Sequence, residues 1–259
     1  MKIILKTERD LALMRPACAV ASRVLEEVAA FIRPGVTTRE VDAYAASRIK
    51  LHGAKSAFLG YRNYPCNLCI SINDEVVHGL ANERRLQFGD IVSLDVGVVF
   101  GGYVGDTART VAVGGCSLEA QRLMDVTERA LEEGIAQAIA GNRVTDISRA
   151  IQNHVETNGF SVVREFVGHG VGRTVHEDPQ VPNFVDPKAN QKLVPGMTLA
   201  IEPMVNAGGP EVKMLKDGWT AVTQDGSLSA HFEHTVLITG AEPEILTCLE
   251  KAPSKLKAQ

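Results

Sequence analysis

Apolar residues recur at helical spacing in four stretches of the chain. From Thr7 to about residue 33, Leu11, Met14, Cys18, Ala21, Leu25, Val28, Ala29 and Ile32 share one face, and Thr7 with Asp10 makes a capping-box start. Pro16 lies where it would bend this helix early, and Pro34-Gly35 ends it. Thr38 caps a second helix over about 39–52, with Val41, Tyr44, Ala45 and Ile49 inward and Gly53 as its stop. A third runs over 117–140 from Ser117, with Leu123, Val126, Ala130, Leu131, Ile135 and Ile139 on one face. A fourth opens at Thr145 and ends near Gly159.

The helices repeat. An offset of 106 superposes Leu25-Glu26-Glu27 on Leu131-Glu132-Glu133, Gly35 on Gly141, Val41 on Ile147, Ile49 on Val155 and Gly53 on Gly159. Two amphipathic helices look alike by chance, but glycines at matching C-terminal ends favour a duplicated helix–helix–sheet unit. Apolar or alternating stretches at 56–59, 69–72, 91–113, 161–166, 198–207, 211–214 and 229–238 predict strands. The pattern predicts an α/β (α+β) architecture and a single domain over 1–259. Its pseudo-twofold halves, about 7–113 and 117–238, surround one antiparallel-rich sheet, and 246–259 form a flexible tail.

The stretch 91–113 has two Val-rich runs around Phe100-Gly101-Gly102, the pattern of a hairpin. With Phe100 and Gly101 as the loop, Asp95 and Asp106 face each other across it. Opposed carboxylates among apolar neighbours repel and are costly to desolvate. Either a cation sits between them, or one Asp caps a turn while the other lies at the sheet edge. The offset of 106 takes Asp95 to Ile201, beside Glu202, and Glu233 stands as the counterpart of Asp106. Glu233 lies 31 residues after Glu202, against 11 for the first pair, so an insertion carrying Trp219 separates the second pair of strands. Four carboxylates in apolar strands then converge. They cannot all stay ionised unpaired, and two divalent cations would balance them. His169, in Gly168-His-Gly-Val-Gly-Arg173, is the candidate nitrogen ligand, because its glycines let backbone crowd a site. A phosphate cradle there lacks the Lys-Ser/Thr that a P-loop needs.

Composition narrows the classes. Hydrophobic residues make up 45% and charged residues 22%, as in ordinary globular proteins, and a net charge of −4 gives no nucleic-acid footprint. The first ten residues are too charged for a signal peptide, and no apolar run approaches a membrane span, so a cytoplasmic protein is expected. Five scattered cysteines argue against a disulfide framework. The lone Cys66-Asn-Leu-Cys69 reads as ordinary buried thiols in preference to a redox or metal pair.

The distinctive segments are Cys69-Ile-Ser-Ile-Asn73, Val77-His78-Gly79, Leu94-Asp95-Val96-Gly97, Gly105-Asp106-Thr107, Gly168-His169-Gly170, His176-Glu177-Asp178-Pro179, Ala200-Ile201-Glu202-Pro203 and Ser229-Ala-His-Phe-Glu233-His234-Thr235. In this order and spacing the set resembles the type I methionine aminopeptidases, which have the creatinase-like pita-bread fold, in a short form without an N-terminal zinc-finger extension. The resemblance implies metal ligation by Asp95, Asp106, His169, Glu202 and Glu233, with Asp106 and Glu233 bridging two ions; Mn, Fe, Co and Zn all suit such donors. It implies that His176 hydrogen-bonds the scissile carbonyl, that His78 assists at the leaving amide, and that Glu202 also accepts a proton. His231, His234, His52 and His154 read as surface or sheet histidines, with His231 near enough to Glu233 to support it.

The reaction implied is hydrolytic removal of the initiator methionine from nascent chains whose second residue is small. The methionine pocket would be walled by Tyr61, Tyr64, Cys69 and Trp219, surfaces suited to a thioether. Phe58 and Val175 depart from a common form of the family, which has Cys and Phe there, and we expect neighbouring wall positions that exchange bulk. The partners expected are peptides beginning with methionine; ribosome association would follow from the role rather than from any residue. A monomer is expected. Two other readings share features: an Xaa-Pro aminopeptidase or prolidase, which usually carries an N-terminal domain for which the 57 residues before Phe58 leave no room, and a non-catalytic peptide- or RNA-binding module of the same fold, which would have lost ligands.

Overall fold

The computed structural model of the chain describes residues 3–248. Four helices carry the two halves: α1 (Glu8–Phe31), α2 (Thr38–Leu51), α3 (Leu118–Ala136) and α4 (Val144–Thr157). The Thr7–Asp10 capping box forms, and α1 runs on through Pro16. The second box is one residue earlier than expected. Thr37 takes the cap with Glu40, because Thr38 spends its hydroxyl on the carbonyl of Asn82. Helix α3 stops at Ala136, so Ile139 lies beyond it and is exposed.

The described residues hold fifteen strands, in chain order: β1 (Lys55–Ser56), β2 (Cys69–Ile72), β3 (Glu75–Val77), β4 (Ile91–Phe100), β5 (Tyr103–Ala112), β6 (Ser161–Val162), β7 (Gly168–Gly170), β8 (Glu177–Val181), β9 (Thr198–Ile201), β10 (Met204–Asn206), β11 (Val212–Met214), β12 (Ala221–Thr223), β13 (Ser229–His231), β14 (Glu233–Leu237) and β15 (Glu244–Ile245). Nine of them form one sheet ordered β1-β4-β5-β14-β9-β7-β8, with β2 also on β4 and β15 also on β14. Every pairing is antiparallel. Two three-stranded sheets, β13-β10-β6 and β11-β12-β3, complete the fold. The insertion predicted between Glu202 and Glu233 is the β11–β12 hairpin that carries Trp219.

The pseudo-symmetry runs between β5 and β14. On one side α1 and α2 bury Val24, Val28, Val41 and Ile49 against Ile70, Val92, Leu94 and Val96. On the other, α3 and α4 bury Leu123, Leu131, Ile147 and Ile151 against Leu199, Ile201 and Val236. Each helix pair covers one half of the sheet, and the site lies where the halves meet.

Two expectations need correction. The β4–β5 loop is Gly101-Gly102, not Phe100-Gly101, because both loop residues have positive φ (+60° and +82°), which glycine adopts freely. The register shifts by two: Asp95 faces Ala108 and Asp106 faces Gly97. The aspartates keep one face of the sheet but are diagonal neighbours. Nor does a loose tail start at residue 246. Leu246 and Thr247 are buried, β15 pairs with β14, and the Thr247 carbonyl accepts from Ser22 Oγ on α1 (2.6 Å). The rest of the predicted tail, 249–259, lies outside the described residues. Among the described residues, no helix is long and apolar enough to cross a membrane.

Candidate active site

Strand register assembles the site. Asp95 faces Ala108 on β5, and Ala108 faces Glu233 on β14, so a small side chain lies between two acids in one cross-strand rank. On the next pair His234 faces Ile201, and one step further that register sets Glu202 beside Glu233. Glu202-Pro203 interrupts the stretch expected as one strand over 198–207, because proline cannot donate to the ladder. Asp106 reaches the same face from two residues along β5. One oxygen each from Asp95, Asp106 and Glu233 lies within 4.8 Å of the others. His169 Nε2 closes the ring, 3.3 Å from Glu202 Oε1 and 3.9 Å from Asp106 Oδ2. The strands here are locked by hydroxyls: Thr107 donates to the Glu233 carbonyl (2.9 Å), and Thr235 to that of Asp106 (2.7 Å).

The electrostatics are those of a cage short of positive charge. Asp95 Oδ1, Asp106 Oδ1 and Glu202 Oε1 are buried without a hydrogen-bond partner. Burial pushes the Asp95 carboxyl up to about 7. Asp106, Glu202 and Glu233 rise well above the usual carboxylate range, through burial first and one another's charges second. His169 is driven down to about 3 by burial, and its Nδ1 donates to the Gly170 carbonyl (2.9 Å), which leaves a lone pair on Nε2. Orphaned carboxylate oxygens with one neutral imidazole are the donor set of a divalent cation, so the five residues fit a metal.

Above the cage is a cavity walled by Phe58, Tyr61, Tyr64, Cys69, Val175 and Trp219, with His78 and His176 on its polar side. All the residues expected for substrate therefore meet in one place. Tyr64 stacks edge-on to Trp219 (centroids 5.1 Å apart) and donates to the Gly79 carbonyl (2.8 Å). His176 is at the mouth, its Nδ1 3.0 Å from the Tyr61 hydroxyl and its ring 4.2 Å from that of His169. Partial desolvation and the charge of Arg62 hold its pKa below the ordinary histidine value. His78 has a φ of +60°, uncommon for a residue with a side chain, and burial lowers it to about 4. Gly79 follows because a Cβ there would stand 2.1 Å from the Ile70 carbonyl oxygen.

Some lining residues escaped the sequence reading. Arg62, Phe166 and Met204 also border the cavity, and Phe166 meets His78 edge-on at 5.2 Å. Met204 stands two residues from Glu202 and Phe166 three from His169, so closeness to a ligand was the available signal. His231 approaches a different acid from the one expected. It lies on β13 as a sheet histidine, but its Nε2 is buried without a hydrogen-bond partner, 3.8 Å from Glu202 Oε2. His52 and His234 bond to Glu27 and Thr247, away from the cage. Cys18, Cys66, Cys69 and Cys116 are free thiols; Cys66 accepts from the Ala81 N–H and Cys69 faces Asp95.

Comparison with known proteins bears on the same face. Residues 12–240 match the sequence profile of Metallopeptidase family M24. The chain is 52% identical over 248 residues to a methionine aminopeptidase of Clostridium perfringens, covering 96% of this chain and all of that one. A crystal structure of methionine aminopeptidase from Thermotoga maritima superposes with a TM-score of 0.93 at 46% identity, covering 96% of this chain and 100% of that one. A prolidase from Pyrococcus furiosus shares the fold at a TM-score of 0.79 and 24% identity, over 96% of this chain and 66% of that one.

Proposed function

The chain belongs to metallopeptidase family M24 with its pita-bread fold, and from that premise we propose that it acts as a methionine aminopeptidase. It is a metal-dependent aminopeptidase that removes the N-terminal methionine of peptides and nascent proteins whose second residue is small. The observation that carries this reading is a cage of four buried carboxyls and one neutral imidazole under an aromatic and sulfur-walled cavity. Xaa-Pro specificity has only fold-level likeness in its favour. A non-catalytic module has no use for oxygen donors left without partners.

Asp95, Asp106, His169, Glu202 and Glu233 would hold the metal, and two divalent ions balance the four carboxylates. When bound, such ions supply Lewis acidity toward a carbonyl and lower the pKa of a water to near neutrality. The protein's own groups do the rest. His176 Nδ1 is within hydrogen-bond distance of the Tyr61 hydroxyl (3.0 Å); with that hydroxyl as donor the proton of the neutral ring stands on Nε2, from which it is donated to the scissile carbonyl as negative charge develops. Glu202 takes up the proton released by the attacking water. His78, neutral at physiological pH, serves the departing amide. The thioether lies against Phe58, Tyr61, Tyr64, Cys69 and Trp219.

The finer assignments are a single catalytic domain acting as a monomer in the cytoplasm, on chains as they leave the ribosome. The deciding experiment is anaerobic reconstitution with Mn, Fe, Co or Zn, scored on Met-Ala, Met-Gly and Xaa-Pro peptides with the bound metal counted. Turnover confined to the methionine peptides is expected. Preference for Xaa-Pro would replace the reading with a prolidase, and stoichiometric metal without turnover would replace it with a binding module.

A further inference from the structure

One buried ion pair has no part in the cage. Lys6, in the segment before α1, has its Nζ 2.6 Å from Glu177 Oε2, with side-chain exposures of 4% and 6%. Buried charges are kept only where they are paired and their hydrogen bonds filled. Here most of them are filled. Lys6 Nζ also donates to the Ile4 carbonyl (3.1 Å), and the Lys6 N–H to that of Gly196 (2.7 Å). The other Glu177 oxygen accepts from the N–H of Arg173 (2.9 Å) and, more weakly, Thr174 (3.5 Å). One carboxylate therefore gathers both ends of the 172–177 loop. Gly172 leaves room for it, since a Cβ there would stand 2.5 Å from Lys6 Cε and 2.6 Å from Glu177 Oε1. A second fastening lies nearby: Arg173 covers the Tyr103 ring (4.6 Å) and pairs with Asp10 (3.6 Å). What the loop carries is Val175 in the cavity wall and His176 at its mouth.

We infer that the Lys6–Glu177 pair is a positioning device, holding the 172–177 loop so that His176 meets Tyr61 and the substrate carbonyl. The pair acts through His176 and touches no substrate. This rests on the role proposed above for His176, and the two are separable by one cycle of variants. The full-length, metal-loaded protein would be assayed on Met-Ala peptide as Lys6→Met, His176→Ala and the double variant. His176→Ala is expected to lose about 10²-fold in kcat. Lys6→Met is expected to lose about tenfold, mainly in kcat, because a misplaced group costs rate when a loop shifts by an ångström. The double variant should lose no more than His176→Ala alone, and Lys6→Arg should regain most of the activity. If Lys6→Met costs the same factor with and without His176, the pair is merely structural and the inference is overturned. If His176→Ala loses nothing, the role of His176 fails instead. Should Lys6→Met not fold, Lys6→Met/Glu177→Gln, which leaves no full charge alone, carries the same comparison.

Discussion

The Nε2 of His169 lies 3.3 Å from Oε1 of Glu202 while its Nδ1 is spent on the Gly170 carbonyl, so a fixed tautomer turns its lone pair toward a buried carboxyl. Without a cation that arrangement wastes a donor set, and with one it is complete. Asp106 stands at the same point with an unpartnered Oδ1. Asp106→Asn should therefore cut turnover on Met-Ala peptide by on the order of 10³-fold or more, the several kcal/mol that a metal supplies. The metal-free variant should melt higher than the metal-free parent at pH 7.5, because one of four mutually repelling acids has gone. Added Mn or Co should raise the melting temperature of the parent far more than that of the variant. Equal metal-induced shifts would remove Asp106 from the ligand set.

The same cage sets how the metal-free protein responds to pH. A carboxyl raised in the folded state keeps its proton where the unfolded chain has lost it, so folding stability falls as pH rises toward the raised pKa. Asp95 sits at about 7 and its three neighbours are also raised. The buried histidines act in the opposite sense. His78 and His234 near 4, and His169 and His231 near 3, bind protons only on unfolding, so their contribution is lost as pH falls below the unfolded value of about 6.5. Between pH 7 and 8 the unfolded histidines are already mostly neutral, so the several raised carboxyls outweigh them. The metal-free melting temperature should fall across that interval, and saturating metal should abolish the fall. A metal-free protein that grows more stable from pH 7 to 8 contradicts this balance.

His78 depends on the residue after it. Its φ of +60° is held by a chain packed so closely that a Cβ on Gly79 would meet the Ile70 carbonyl at 2.1 Å. Gly79→Ala must push the segment after β3 away from β2, costing about 1–3 kcal/mol, the usual range for overpacking. Because His78 moves with it, kcat should fall together with the melting temperature. An alanine variant with parental kcat would show that the placement of His78 is not needed for turnover.

These tests bear on residues that were unequally legible in the sequence. The Thr7–Asp10 cap and the four helices could be read because their signals are local and periodic. Asp95 and Asp106 could be placed on one face, since strand alternation needs no distant information. Their register could not, because it turns on whether Phe100-Gly101 or Gly101-Gly102 takes the bend. Glu202 is legible because the offset of 106 takes Asp95 to its neighbour Ile201, whereas Glu233 is reached only by allowing an insertion, since the same offset takes Asp106 to Val212. The short strands β7 and β8 were missed: three and five residues rich in Gly, Asp and Pro carry no strand pattern, and only their neighbours in the sheet extend them. The sequence places His231 close to Glu233, but nothing local says that β13 turns it toward Glu202. Lys6 and Glu177 are 171 residues apart, and no pattern along the chain links them.

Phe58 and Gly97 are fitted to each other at the wall of the methionine cavity. A Cβ on Gly97 would lie 2.4 Å from Phe58 Cε1, and the ring fills the space that the glycine leaves. Phe58 and Val175 belong to one apolar cluster and both line the cavity. Gly97→Ala should drive the ring into the cavity, raising KM for Met-Ala about tenfold if about 1–3 kcal/mol of overpacking is felt at the wall. In a Phe58→Cys background the same alanine meets a small side chain, so its cost should largely vanish. Phe58→Cys alone widens the pocket and should change the relative rates on Met-, Leu- and norleucine-peptides in favour of the bulkier residue. Unchanged ratios would leave Phe58 as packing without a say in specificity, whatever the alanine does.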